Sequence, residues 1–211
     1  NEQNNLDLSF ITENGSSIHG LNKIHQNLPD KIIISRTIDE IRNIYEENIS
    51  LDFKNKTTHI LELEIEVQQK ILELPLDKIK LAIKRNHSLP IKFNGTEIEK
   101  NEFTKILKNS GLTIQTGGRI MNVCDNVNKS KAMSKALQLI RKQLGDEIIT
   151  IGVGDNENDI EMIKHTDYPC LVKNDNFDSS LINIDNLIKS SEPSPLGWAD
   201  VIKTAIQKIE S

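Results

Sequence analysis

Apolar positions recur at two different spacings along the chain, and the change between them divides it into two styles. Residues 6–12 (LDLSFIT) form a short apolar run that reads as a strand and breaks at Glu13-Asn14-Gly15. Over residues 38–49 the apolar positions Ile38, Ile41, Ile44, Tyr45 and Ile49 fall at helical spacing. A polar break over 54–58 leads to a second helical stretch ending near Leu74. Residues 89–93 read as a strand, Asn94-Gly95 as a turn and residues 98–107 as another helix. Strands at 112–115 and 120–123 follow, joined as a hairpin through Gly117-Gly118. This middle region predicts mixed helix and antiparallel strand.

Beyond Asp125 the pattern changes. Residues 129–144 predict a helix with Ala132, Ala136, Leu139, Ile140 and Leu144 on its apolar face. Residues 147–153 (EIITIGV) are a β-branched run of the kind found in buried parallel strands. A short helix at 158–165, a short strand at 170–172 and a final helix at 198–209 complete the chain. That final helix places Trp198, Ile202, Ala205, Ile206 and Ile209 on one face. Strand–helix–strand–helix order predicts an α/β layer. Three runs are candidates for its parallel sheet, at 6–12, 147–153 and 170–172, where a doubly wound sheet commonly has about five or six strands.

At 211 residues the chain fits one domain, or a core with a smaller inserted one. The net charge of -5 is spread along the chain with no long basic run, which argues against nucleic acid or an anionic membrane as the main partner. No apolar stretch approaches the roughly 20 residues that span a bilayer. No signal-peptide pattern opens the chain. Cys124 and Cys170 have no metal-ligand spacing and read as buried small apolar residues, so a reducing, cytoplasmic compartment is expected.

The strongest chemical signal is Gly152-Val153-Gly154-Asp155-Asn156-Glu157-Asn158-Asp159, at the junction of a buried strand and a helix. Ligands of α/β sheets bind at such strand ends. Asp155 would project from the strand, with Asn158 and Asp159 in the first helical turn, gathering oxygen ligands suited to magnesium. A calcium loop fails because Ile160 stands where Gly is needed and Thr166 where Glu is needed. A dinucleotide fingerprint fails because Glu157 replaces its third Gly. Helix capping by Asn158 and Asp159 remains open as the bland alternative. Earlier in the chain, Asn128-Lys129-Ser130-Lys131-Ala132 puts two lysines in a first helical turn. Positive charge there opposes the helix dipole unless an anion is present. Phosphate binding and solvated surface lysines are the two readings.

Gly154-Asp155-x-x-Asn158-Asp159 with the Lys129 helix before it resembles two motifs of the haloacid dehalogenase-like hydrolases. Within that superfamily the chain is similar to the mannosyl-3-phosphoglycerate phosphatases. The matching segments, in family order, are Phe10-Ile11-Thr12-Glu13-Asn14-Gly15, Gly117-Gly118-Arg119, Asn128 to Ala132, Gly154 to Asp159 and Pro195-Leu196-Gly197-Trp198. The resemblance implies an α/β Rossmannoid parallel-sheet core over 1–30 and 125–211, interrupted by an α+β cap over 31–124. It implies that Asp155 binds magnesium, that Asn158 and Asp159 order the metal's surroundings, and that Lys129 holds the transferring phosphoryl group. Asn14 would lie in the loop beside the site. Arg119 and Arg85 would hold the glycerate carboxylate or sugar-phosphate part, a role that suits the planar guanidinium fork. Arg85-Asn86-His87-Ser88-Leu89 lacks both acidic residues of the family's pattern there, which bears on the sugar.

The reaction implied is hydrolysis of mannosyl-3-phosphoglycerate, or of a related sugar phosphate such as the glucosyl compound, with Mg2+ as cofactor and a small-molecule partner only. A non-catalytic, phosphometabolite-binding chain is the alternative from a different class. The family's nucleophile and acid/base come from a D-x-D-x-T motif on the first strand. No Asp-x-Asp occurs in these 211 residues. Together with the short strand count, this leads to the expectation that the core is incomplete at its N-terminal side and that these residues alone have little phosphatase activity.

Overall fold

The computed structural model describes residues 8–117 and 120–211. In chain order, β1 (Phe10–Thr12), β2 (Ser17–His19) and β3 (Lys31–Ile33) form a three-stranded sheet in that order. Next come α1 (Ile38–Asn48), α2 (Leu51–Asn55), β4 (Thr57–His59), α3 (Ile65–Leu72) and α4 (Leu76–Ala82). They are followed by β5 (Ser88–Phe93), α5 (Glu97–Asn109), β6 (Thr113–Gly117) and β7 (Ile120–Cys124). The remainder is α6 (Lys129–Leu144), β8 (Ile151–Gly154), α7 (Glu157–Ile163), β9 (Tyr168–Lys173), β10 (Ile188–Pro193) and α8 (Leu196–Glu210). Among the described residues two compact units result, one of residues 8–11, 18–32 and 128–211, the other of 12–17, 33–117 and 120–127.

The unit of 12–17 and 33–127 is built on an antiparallel sheet in the order β4-β5-β7-β6. Alternation along the strands decides its two faces. Leu89 and Ile91 of β5 and Met121 and Val123 of β7 are buried against Ile41 and Tyr45 of α1 and Phe103 and Leu107 of α5. Ser88, Pro90, Lys92 and Asn122 stand on the alternate positions. Both long helices start on capping boxes, Thr37 with Glu40 and Thr96 with Glu99, which satisfy the free first-turn amides reciprocally. Tyr45, Phe53, Phe93 and Phe103 form the aromatic centre. The polar break expected at 54–58 is instead the end of α2 and the strand β4. Phe53 is buried there, and Thr57 pairs with Phe93. The helix expected to end near Leu74 ends at Leu72, where Glu73 takes a left-handed conformation, φ 49°.

In the other unit β8, β9 and β10 form a parallel sheet in the order β10-β9-β8. Cys170, Val172 and Ile188 pack against Val201 and Ala205 of α8. A second cluster joins Ile18, Leu21 and Leu28 to Ala132 and Ala136 of α6. Three expectations need correction. Of the run at 6–12, residues 6 and 7 lie outside the described residues and 10–12 are β1, in a sheet with β2 and β3; the third parallel strand is β10, whose sequence IKSSEP buries only Ile188 and so gives no apolar signal. The strand expected from 147 begins at Ile151. Among the described strands β8 pairs only with β9, so Ile148 and Ile149 have no ladder to extend, and Ile149 is exposed. The buried stripe of α8 is Gly197, Val201 and Ala205, with Trp198 and Ile206 exposed. The stripe falls there because a Cβ on Gly197 would overlap the carbonyl oxygen of Glu192. The helix therefore lies flush on β10 along that line.

Candidate functional site

At the end of β8 the glycines are explained by the helix that follows. A Cβ on Gly152 would fall 2.6 Å from Thr166 Oγ1, and one on Gly154 would meet Asp159 Cβ at 2.3 Å. Both glycines let α7 return close to its own strand, the packing role glycine has in tight strand–helix units. Asn156 caps α7, its side-chain oxygen accepting from the Glu157 amide at 2.8 Å. Asp159 is then carried back over the strand end and buried to 8% exposure.

Its two oxygens are both engaged. Oδ1 accepts from Lys129 Nζ at 2.7 Å, and Oδ2 faces the Asp155 backbone N–H at 3.4 Å. Lys129 is the first residue of α6, after the cap Asn128, whose side chain accepts from the Lys131 amide at 2.8 Å. A lysine in the first turn opposes the helix dipole, and Asp159 is the anion that offsets it. The Lys129 side chain is still 36% exposed, so its ammonium can meet a second anion without leaving Asp159. Asn174 Nδ2 donates to the Asp155 carbonyl at 3.1 Å and steadies the turn. Asp155 itself is exposed, as is Asn158. A cleft of about 190 Å3 opens here, with Asp155, Asp159, Gly154, Ser194 and Trp198 in its lining.

Lys129, Asp155 and Asp159 are thus brought together, with Asn158 beside Asp159 on α7. Asn14 and Arg85 belong to the other unit, and Arg119 lies outside the described residues. Asn14 has a left-handed backbone, φ 56°, and donates to Gln115 Oε1 at 2.7 Å; Gln115 in turn donates to the Val127 carbonyl at 2.8 Å. Arg85 Nε donates to the Ala82 carbonyl at 2.8 Å and so caps the end of α4. Among the described residues no three His, Cys, Asp or Glu side chains gather to hold a metal. Magnesium does not require it, since it keeps several waters and takes one or two carboxylates plus substrate oxygens. The exposed Asp155 carboxylate fits that need, while Asp159 is committed to Lys129.

For two further carboxylates sequence reasoning gave no partner. Glu13 accepts from the Asn86 and His87 amides and the Ser88 hydroxyl at 2.8, 3.1 and 2.8 Å, fixing the loop that carries Asn14. Asp125 accepts from the Arg36 amide and guanidinium and from Ser35 Oγ. Burial pushes the Asp125 carboxyl up, but these donors outweigh it and hold it below the usual aspartate value. No spacing along the chain announces either partnership, because the partners lie 73 to 90 residues away.

A family model described as haloacid dehalogenase-like hydrolase matches residues 1–188. A protein of Persephonella marina named glucosyl-3-phosphoglycerate/mannosyl-3-phosphoglycerate phosphatase is 27% identical over 95% of this chain and 77% of its own length. One of the same name from Methanococcoides burtonii is 28% identical over 94% of this chain and 76% of its own. Among solved structures, a haloacid dehalogenase-like hydrolase from Bacteroides thetaiotaomicron superposes with a TM-score of 0.56 at 14% identity, covering 99% of this chain and 79% of that one. This last likeness concerns the fold.

Proposed function

The chain belongs to the haloacid dehalogenase-like hydrolases, and within their phosphatases we propose that it acts on a glycosylated 3-phosphoglycerate with magnesium as cofactor. Mannosyl-3-phosphoglycerate is the first candidate, giving mannosylglycerate, and the glucosyl compound is the second. The observation that carries the reading is the Lys129–Asp159 pair set beside the exposed Asp155 carboxylate in one cleft. The names of the two relatives support the substrate class.

Phosphoryl transfer depends on positioning and on neutralising charge over the phosphoryl oxygens. Lys129 supplies a fixed positive charge, held in place by Asp159 rather than left to wander in solvent. Asp159 also holds the Asp155 amide, so one carboxylate orders both groups. Magnesium, held by Asp155, would add Lewis-acid charge neutralisation at the phosphoryl oxygens. In this reading Arg119 takes the glycerate carboxylate. Arg85, whose Nε is occupied by Ala82, has only its terminal nitrogens to offer.

The two-step covalent route needs a nucleophilic aspartate paired with an acid/base aspartate, and these 211 residues contain no Asp-x-Asp. Asp125 and Asp159 are both tied up in ion pairs, which argues against either as a substitute nucleophile. The reading therefore expects no phosphate release by these residues alone, and magnesium-dependent release once a strand carrying D-x-D-x-T precedes them. The assay is phosphate release from mannosyl- and glucosyl-3-phosphoglycerate and an aryl phosphate, with and without that strand and with and without a chelator. Magnesium-dependent release by the 211 residues themselves would overturn the covalent account. An extended protein that folds and binds magnesium yet releases nothing from any of the three would overturn the phosphatase reading in favour of a binding role.

A further inference from the structure

Trp198 is the only tryptophan in the chain, and 53% of its surface is exposed, although large aromatic rings are usually well covered. It stands on the first turn of α8, off the buried stripe of Gly197, Val201 and Ala205. Gly197 fixes where it stands. Any side chain at 197 would collide with the Glu192 carbonyl and crowd Ser190 Oγ at 2.5 Å, so the start of α8 can press directly on β10. The ring is thereby presented in the lining of the same cleft as Asp155 and Asp159.

The cleft holds about 190 Å3, below the roughly 300 Å3 at which pockets begin to enclose an organic ligand. It has room for a hydrated ion and a phosphoryl group. Whatever is esterified to that phosphoryl must extend out of the cleft, and Trp198, half exposed, is the aromatic side chain in a lining that also holds Val153 and Val172. An indole offers a flat face with negative charge density, which suits the polarised C–H face of a sugar ring, and an N–H that can donate to a hydroxyl. Inorganic phosphate could accept from the N–H but has no C–H face to lay on the ring.

We propose that Trp198 is a substrate-contacting, specificity-determining residue, the aromatic wall on which the glycosyl part of the phosphomonoester packs. This rests on the glycosyl-phosphoglycerate reading above. The exposed position makes Trp198→Leu and Trp198→Phe safe for the fold, which circular dichroism checks. Being the only tryptophan, Trp198 also reports its own contacts by fluorescence. The 211-residue chain is titrated with magnesium alone, and in its presence with inorganic phosphate, 3-phosphoglycerate and mannosyl-3-phosphoglycerate, by fluorescence and by calorimetry. A saturable emission change is expected with the mannosyl ligand and not with magnesium or phosphate. Trp198→Leu should weaken the mannosyl ligand about tenfold, equivalent to about 1.4 kcal/mol, leaving 3-phosphoglycerate within about twofold. Trp198→Phe should recover most of the loss. Wild-type protein that binds the mannosyl ligand no better than phosphate, or binds none of the probes, overturns the substrate reading and this proposal with it. A wild-type preference for the mannosyl ligand that survives in Trp198→Leu overturns the role of Trp198 alone.

Discussion

Gly154→Ala adds one methyl group at the point where β8 and α7 come closest, and its cost can be worked from the geometry. An unstrained Cβ at 154 falls 2.3 Å from Asp159 Cβ and 3.1 Å from Asp159 Cγ. Carbon atoms prefer about 3.5–4.0 Å, so the first contact is short by about 1.2 Å or more. No rotamer of Asp159 relieves it, because Cβ is fixed to the helix backbone, so α7 must move off the strand. Overpacking of this kind costs about 1–3 kcal/mol. The Lys129–Asp159 bond would loosen as the helix moves. A charge-assisted bond is worth up to about 3 kcal/mol, but Lys129 is over one-third exposed, so about 1 kcal/mol is the reasonable share. Replacing glycine stiffens the unfolded chain and returns about 0.4–1 kcal/mol. The balance is a destabilisation of about 2 kcal/mol, read as a lower urea midpoint by far-ultraviolet circular dichroism. A double-mutant cycle with Asp159→Gly tests the cause, since removing the opposing Cβ should recover about 1 kcal/mol or more relative to additivity. A loss below about 0.5 kcal/mol, or strict additivity, would refute the close-approach argument.

Asp155→Asn should weaken magnesium binding at least about tenfold by calorimetry while leaving the unfolding midpoint unchanged, because the residue is exposed and only its charge is removed. In the catalytically competent protein Lys129→Ala should lower kcat by about 10²-fold, whereas Lys131→Ala, exposed and two residues further round the helix, should cost far less. Asp125 has a folded-state pKa below its unfolded value, so its ion pair stabilises the fold above the ordinary aspartate pKa of about 3.9 and that stability is lost as pH falls through the lower folded value. Asp125→Asn should therefore flatten the decline of the urea midpoint between about pH 5 and pH 3, and an unchanged slope would count against the Arg36 clamp. Burial pushes the Cys124 thiol up to about 12, so at pH 8 it should react with an aromatic disulfide reagent only as fast as the protein unfolds.

Local chemistry was legible from the chain alone wherever the signal lay within one turn or one strand. The helix at 129–144 was predicted to the residue, because its apolar repeat and its Asn128 start are contained in a single segment. The hairpin strands at 112–123 and the strand at 89–93 were readable for the same reason, since alternation is a property of neighbours. The Gly154-Asp155-x-x-Asn158-Asp159 signature placed the candidate site at the end of β8, because a tight strand-to-helix return restricts which residues can occupy it.

What the sequence left undecided was every feature set by which distant surface an element meets. Ile148 and Ile149 look like strand residues, yet a strand exists only where a neighbour completes its ladder, and β8 keeps just four residues. β10 carries almost no apolar signal and is a strand because β9 lies beside it. In α8 the helical repeat pointed to the face of Trp198, Ile202, Ala205, Ile206 and Ile209, and the close approach of Gly197 to the Glu192 backbone goes with a buried line through Gly197, Val201 and Ala205 that leaves Trp198 exposed. Lys129 could be recognised as a charge in need of an anion, but that the anion is Asp159, 30 residues on, emerges only when α7 folds back over β8. Periodicity reports which face of an element is apolar. It carries no information about the partner, because pairing across tens of residues is decided by packing energies summed over the whole fold rather than by any segment of it.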